Sequence, residues 1–316
     1  MKYGFGIDLG GTTVKLAFFN EEGTMLNKWE IPTVTANNGA QILPDIAASI
    51  LAHLEKIGVA HEDILGVGIG VPGPVDSKGT VNMCVNLGWG KFNIQEELGK
   101  LCGFPVKAGN DANVAALGEY WKGGGQGYEN MILATLGTGV GGGIVHEGKL
   151  IHGVHGCGGE IGHMVINKHE TQARCGCGKY GCVEQYCSAT GVVRVAERTL
   201  AASDKPSVLR ETFPLTCKDV FDASNAGDAM AAEILEQVYD YLGEFLANLC
   251  AVLDPEAIVL GGGVSKAGMP LLDGARRYFN KYAFHGTKDV RFELASLGND
   301  AGAYGAFKMA LDAYGK

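Results

Sequence analysis

Three cysteines in Cys175-Gly-Cys177-Gly-Lys-Tyr-Gly-Cys182 stand at spacings of two and five. Thiolates this close, with glycines between them so that the loop can fold back on itself, suit a tetrahedral cation such as Zn²⁺. The set needs a fourth ligand. His163, twelve residues before Cys175, supplies one, and Cys157 and Cys187 compete by proximity. His163 with Cys175, Cys177 and Cys182 would make a closed structural centre with no coordination position left for water. Carboxylates bracket the loop: Glu160 precedes His163, and Glu184 follows Cys182 by two residues. Two carboxylates and an imidazole can accept from and donate to the hydroxyls of a sugar. Taken singly, each glutamate reads as a solvated surface residue.

Two glycine turns also carry threonine. Asp8-Leu-Gly10-Gly11-Thr12-Thr13 and Gly137-Thr138-Gly139 each follow an apolar run, precede another, and lead on to Glu-Gly, at Glu22-Gly23 and Glu147-Gly148. Backbone N–H groups exposed at glycines, with threonine hydroxyls beside them, bind anions. Lys15 adds a cation, and Asp8 at a strand end suits a water or Mg²⁺. One such turn alone reads equally as a plain hairpin; two related ones point to a phosphate chain held by both. Gly261-Gly262-Gly263 follows an apolar strand and precedes a helix. It reads as a strand-to-helix turn, or as backbone brought close to a flat group such as adenine or ribose. No Walker A pattern occurs, and no dinucleotide fingerprint is complete. Asn110-Asp111 ends a strand and starts a helix. Asp111 fits either an N-cap or a general base, and nothing local separates the two.

The elements that position these residues follow from periodicity. Strands are expected at 3–8, 14–19, 25–31, 64–71, 131–136, 140–145, 257–260 and 290–297. Helices are expected at 42–54, 94–101, 112–121 and 228–253, with a closing helix from 301. The long helix places Ile234, Val238, Tyr241, Phe245 and Leu249 on one face. Strands alternating with helices argue an α/β fold with a duplicated core. A glycine-rich loop at 122–127 marks the region of a boundary. The chain divides into a small α/β domain, 1–118, with the first turn, and a larger one, 119–299, with the second turn and the cysteine loop. Composition agrees: 46% of residues are hydrophobic and the formal charge is 26 − 35 = −9, with no basic stripe, so no nucleic-acid partner is expected. Neither a targeting segment nor a membrane span is apparent, which places the chain in the cytoplasm. Glycine is the outlier, with 49 in 316 residues, about twice the usual ~7%.

The constellation resembles the ROK family of sugar kinases and repressors. Asp8-Leu-Gly-Gly-Thr12, Glu160-Ile-Gly-His163 and Cys175-x-Cys177-Gly-x-x-Gly-Cys182-x-Glu184 carry the resemblance, which extends over nearly the whole chain. It implies an actin-like, ribonuclease-H-like fold whose two domains close on ATP and a sugar, with the helix at 300–316 returning to the first domain. It implies ATP-dependent phosphorylation of glucose to glucose 6-phosphate, with Mg²⁺, and a structural Zn²⁺ on His163 and the three cysteines. Asp111 would be the catalytic base. Asn86, Gly88, Asn110, Asp111, Glu160, His163 and Glu184 would line the sugar. Asp8, Gly10, Gly11, Thr12, Thr13, Lys15, Gly137, Thr138, Gly139, Gly261, Gly262 and Gly263 would lie along ATP. Val85-Asn86-Leu-Gly-Trp89 resembles the glucose-specific version, against N-acetylmannosamine, N-acetylglucosamine, fructose or allose kinases. A sugar-responsive repressor is the other class, but its DNA-binding helices have no place before the strand that begins at Tyr3. A homo-oligomer, dimer or tetramer, is expected. The cysteine loop is expected to shape the sugar side and to leave ATP alone, since Thr12 and Thr138 lie far from it in sequence.

Overall fold

The structure is a computed structural model that describes residues 1–315. Lys316, the end of the closing helix read from the sequence, lies outside the described residues. Along the chain run β1 (Tyr3–Leu9), β2 (Thr13–Asn20), β3 (Met25–Pro32), the kinked turn α1 (Ala36–Gly39), α2 (Ile42–Ile57) and β4 (Ile64–Val71). Then come β5 (Thr80–Val81), β6 (Phe92–Asn93), α3 (Ile94–Cys102), β7 (Val106–Asn110) and α4 (Asp111–Lys122). The second half has β8 (Met131–Leu136), β9 (Val140–His146), β10 (Lys149–Leu150), α5 (Glu184–Cys187), α6 (Ala189–Ala201) and α7 (Cys217–Asn225). It ends with α8 (Ala229–Leu253), β11 (Ala257–Gly261), α9 (Met269–Tyr282), β12 (Arg291–Leu294) and α10 (Ala301–Tyr314). Among the described residues no helix is long and apolar enough to cross a membrane.

Two five-stranded sheets share one topology. The first has the order β3-β2-β1-β4-β7, antiparallel through β3, β2 and β1 and parallel from β1 to β7. The second has the order β10-β9-β8-β11-β12, with β10 antiparallel to β9, and β8, β11 and β12 parallel. This is the duplicated core of an actin-like ATPase-type fold.

The glycines of β1 and β4 have a period of two, and packing explains it. Alternate side chains of a strand face opposite ways. Phe5, Ile7 and Leu9 of β1 and Val67, Ile69 and Val71 of β4 pack on one face with Ile42, Ile46 and Ile50 of α2. The alternate positions Gly6 and Gly68 are bare, and α10 lies against them. A Cβ on Gly6 would sit 2.0 Å from the Ala303 carbonyl oxygen, and one on Gly68 1.7 Å from that of Ala306. Beside the glycines, Ala17 and Phe19 of β2 pack with Ala303 and Phe307 of α10. The helices α4 and α10 touch backbone to backbone in the same manner, at Gly118 and Gly305.

The chain forms two compact units. One comprises Met1–Gly127, Gly143–Gly159 and everything from Leu297 on; the other comprises Tyr128–Gly142 and Glu160–Ser296. The boundaries therefore differ from those read at 118 and 299. α4 runs unbroken through residue 118 to Lys122. Segment 143–159 joins the first unit because a Cβ on Gly143 would meet the Ala116 Cβ at 2.4 Å, so its backbone lies on α4. The buried Glu119 accepts from the backbone N–H groups of Gly124 and Leu297, both at 2.9 Å. In the second unit, α8 is buried over more than the single stripe expected: Leu235, Tyr239, Leu242, Leu246 and Cys250 are covered as well, while Tyr241 is half-buried.

Gly68→Ala is expected to destabilise the protein by about 1–3 kcal/mol or more, because the added methyl meets backbone that cannot rotate away. Gly90→Ala, with nothing within 4 Å, is expected to stay within about 0.5 kcal/mol. Thermal unfolding of the two variants measures the difference.

Candidate active site

In the first unit, the turn after β1 is closed by the Gly10 N–H donating to the Thr13 carbonyl at 3.1 Å. Thr33 braces it from β3's end, donating its hydroxyl to Gly10 O at 2.7 Å and its N–H to Thr12 O at 2.9 Å. Gly11 and Thr12 are left exposed at the tip. Asp8 and Lys15 face each other across the β1–β2 register, with Nζ 3.6 Å from the carboxylate. Burial raises the Asp8 carboxyl above its usual range, and Lys15 opposes the rise. Lys15, the cation that the sequence places beside the turn, is also paired with Asp8.

Asn110 ends β7 and Asp111 opens α4. The sequence offered Asp111 as the N-cap; the structure gives that role to Asn110. Its side-chain oxygen accepts from the Asn113 N–H at 3.1 Å, and its amide donates to Gly73 O at 3.3 Å. Asp111 is the first helical residue, half-buried, and its carboxylate accepts from the Ala112 N–H at 2.8 Å. Cys84, two residues before Asn86, has its thiol raised by burial and also by the Asp111 charge. Asn86 is exposed in a 3-10 turn, Val85–Leu87, and Gly88 ends the turn at φ 73°. Trp89 anchors the segment, buried, with its indole N–H on Gly39 O at 3.2 Å.

In the second unit, Gly137 N–H closes on Gly139 O at 2.9 Å, so this turn encloses one residue where the first encloses two. It is held by residues the sequence reading passed over. Ala189 N–H donates to Gly137 O and the Thr190 hydroxyl to Thr138 O, each at 2.8 Å. Ser188, the N-cap of α6, donates to Glu184 O at 2.6 Å. The available signal was Ser188-Ala-Thr190-Gly, a helix-cap pattern. Gly261 is buried within β11, whereas Gly262 and Gly263 are exposed. Only glycine fits at 262, where φ is 82° and a Cβ would lie 2.6 Å from the Leu136 carbonyl.

The cysteine loop meets this turn through Glu184. One carboxylate oxygen accepts from the Val140 N–H at 3.2 Å, and the other lies 3.5 Å from Cys175 Sγ. The expectation that distance in sequence insulates Thr138 from the loop is thus corrected: the fold makes them neighbours. His163, Cys175, Cys177 and Cys182 offer four ligand atoms within 4.8 Å of one another; Cys157 and Cys187 are outside the group. Cys175 Sγ is 3.5 Å from His163 Nδ1, and Cys177 and Cys182 Sγ are 3.6 Å apart. Tetrahedral zinc with its usual bond lengths needs edges of about 3.6 Å for S–N and about 3.8 Å for S–S, so the residues fit. The other ring nitrogen, Nε2, is 3.8 Å from the Glu160 carboxylate. Burial pushes the Cys175 thiol up to about 12 and raises Cys182. Cys177, which burial pushes up, is brought below the usual thiol range by the Lys179 N–H and the two neighbouring thiols. Three thiolates at these distances repel one another, and a divalent cation is the group that lets all three ionise.

The chain belongs to the ROK family, whose model matches residues 4–313. It is 45% identical over 306 residues to the glucokinase of Halalkalibacterium halodurans, covering 95% of this chain and 92% of that one. The crystal structure of a ROK family glucokinase from Streptomyces griseus in complex with glucose and AMPPNP is similar, with a TM-score of 0.77 at 33% identity, covering 98% and 99% of the two chains. A ROK hexokinase from Thermus thermophilus gives a TM-score of 0.79 at 31% identity, covering 99% and 100%.

Because Asn110 is the cap, Asn110→Ala is expected to cost about 1 kcal/mol of stability and Asp111→Ala distinctly less. Chemical denaturation of both variants checks the order, and the reverse order would return the cap to Asp111.

Proposed function

We propose that this chain transfers the γ-phosphoryl group of ATP to the 6-hydroxyl of glucose, with Asp111 as general base. The observation that carries the reading is the match over nearly the whole chain to a glucokinase, together with a similar ROK glucokinase structure that contains glucose and AMPPNP.

ATP enters as its Mg²⁺ complex. Its phosphates are assigned to the N–H groups of the two glycine turns, with Thr12, Thr13 and Thr138 adding hydroxyls and Lys15 a cation; Asp8 would hold a water or the Mg²⁺, which would neutralise phosphate charge. Gly261, Gly262 and Gly263 are assigned to the adenosine side. The sugar hydroxyls are assigned to Asn86, Gly88, Asn110, Glu160, His163 and Glu184. Asp111 orients the 6-hydroxyl and takes its proton as the oxygen bonds to phosphorus. Little covalent chemistry is left to the protein, so alignment and N–H donors supply most of the catalysis.

His163 and the three cysteines would hold Zn²⁺, which as a closed four-coordinate centre supplies rigidity and no site for water. Anchoring His163 by Nδ1 aims Nε2 toward Glu160 and fixes the ring's tautomer. The loop then holds Glu184 against the turn at Gly139 and Val140. The reading places the enzyme in the cytoplasm as a homo-oligomer without a nucleic-acid partner; light scattering tests the oligomer.

A hexose panel with ATP should show glucose with the highest kcat/KM; turnover of none sinks the kinase reading. Asp111→Asn should lower kcat by about 10²–10⁴-fold with glucose affinity held within about tenfold. A variant that keeps more than a few per cent of kcat would place the base elsewhere. Metal analysis should find one zinc per chain, absent from Cys177→Ser. That variant should bind glucose at least about tenfold more weakly, since one lost positioning contact to a charged group is of that size. Because Glu184 reaches Val140, ATP affinity should fall as well. Full glucose affinity in the zinc-free variant would uncouple the loop from the sugar.

A further inference from the structure

Glu170 belongs to neither the ligand set nor the sugar set, yet it is one of the few buried charged residues, at 9% exposure. Both of its oxygens are fully engaged. Oε1 accepts from the backbone N–H groups of Gln172 at 2.7 Å and Ala173 at 3.0 Å, and from Arg198 Nη2 at 3.2 Å. Oε2 accepts from Arg198 Nη1 at 2.6 Å and from the Tyr186 hydroxyl at 2.8 Å. Tyr186 in turn accepts from the Asn167 side-chain amide at 3.0 Å.

These partners come from three separate pieces of chain. Gln172 and Ala173 lead directly into Cys175. Tyr186, 2% exposed, lies on α5 two residues past Glu184. Arg198 lies on α6. Asn167 extends the network further, since its N–H and that of Ile166 both donate to Gly181 O, next to Cys182, at 3.2 and 2.8 Å. The Arg198 guanidinium beside Glu170 holds its carboxyl well below the usual range. The pair therefore stays ionised wherever an enzyme assay is run. A planar fork on a carboxylate fixes direction as well as distance.

We propose that Glu170, locked by Arg198, is a positioning residue: it holds the root of the cysteine loop and the helix that carries Glu184 in one register, independently of the metal at the loop's tip. The proposal rests on the reading above for what that register serves. Its consequence is a division of labour. Metal orders His163 and residues 175–182, and the buried carboxylate orders 167–173 and 184–187.

The test is Glu170→Gln, which keeps the shape but turns one acceptor into a donor facing other donors. Hydrogen exchange is followed on zinc-loaded and metal-stripped protein. In the metal-stripped wild type, the amides of Gln172, Ala173 and 184–187 should stay protected. In metal-stripped Glu170→Gln they should exchange at least about tenfold faster, the size of a lost hydrogen bond to a charged group, while the amides of α8 keep their protection. The loaded variant should release zinc to a chelator about tenfold faster. Its KM for the hexose that the wild type turns over should rise about tenfold, with kcat within about threefold. A variant with a lower Tm but wild-type loop exchange, zinc release and sugar KM overturns the proposal, as does protection lost evenly over the whole second unit. If Glu170→Gln does not fold, Tyr186→Phe removes only the hydroxyl bridge and should move the same readouts by about fivefold; no movement overturns the proposal. A wild type that turns over no hexose defeats the kinase reading, and the exchange comparison still decides this one.

Discussion

Backbone-to-backbone contact with α10 is the constraint on which the first unit depends. A helix can approach a sheet this closely only where the strands carry no side chains, and Gly6 and Gly68 supply that surface. The apolar residues of β1 and β4 are thereby confined to the other face, where α2 covers them. The same helix fixes α4 through Gly118 and Gly305. Since α4 begins at Asp111 and carries Glu119 near its end, the Asp111 carboxylate and the anchor of two connecting segments are placed by one packing event.

In the second unit the comparable junction is polar. Glu184 touches the Gly137–Gly139 turn through Val140 and the thiol cluster through Cys175. A single carboxylate thus joins the second turn to the cysteine loop. Glu170 stands behind it with five donors of its own.

What could be read from the sequence was what is local. Cysteine spacing and the two Gly/Thr turns are short-range patterns, and the turns fall where a strand ends. The strand–helix order followed from period alone. Neighbouring residues of similar chemistry were less legible: Asn110 and Asp111 both suit a cap, and only the Asn113 hydrogen bond assigns it. Partners distant along the chain left no trace. Glu170 and Arg198 are 28 residues apart with no pattern to join them. The pairing of Lys15 with Asp8 was not legible because Asp8 lies on the adjacent strand. The abundance of glycine was visible, but the close approach that it serves in β1 and β4 involves a helix some 240–300 residues further along.

The chain passes from one unit to the other at 127/128, 142/143, 159/160 and 296/297. Neither unit is therefore a single stretch of sequence, and no single cut separates them. On the ribosome, the unit begun first is the one completed last. Until the residues after 296 emerge, Gly6 and Gly68 lack the α10 backbone that lies against them and Phe19 lacks Ala303 and Phe307. A transcript broken before that point would yield a chain with this seam open, a substrate for quality control. The order of translation makes the last helix the checkpoint of the first fold.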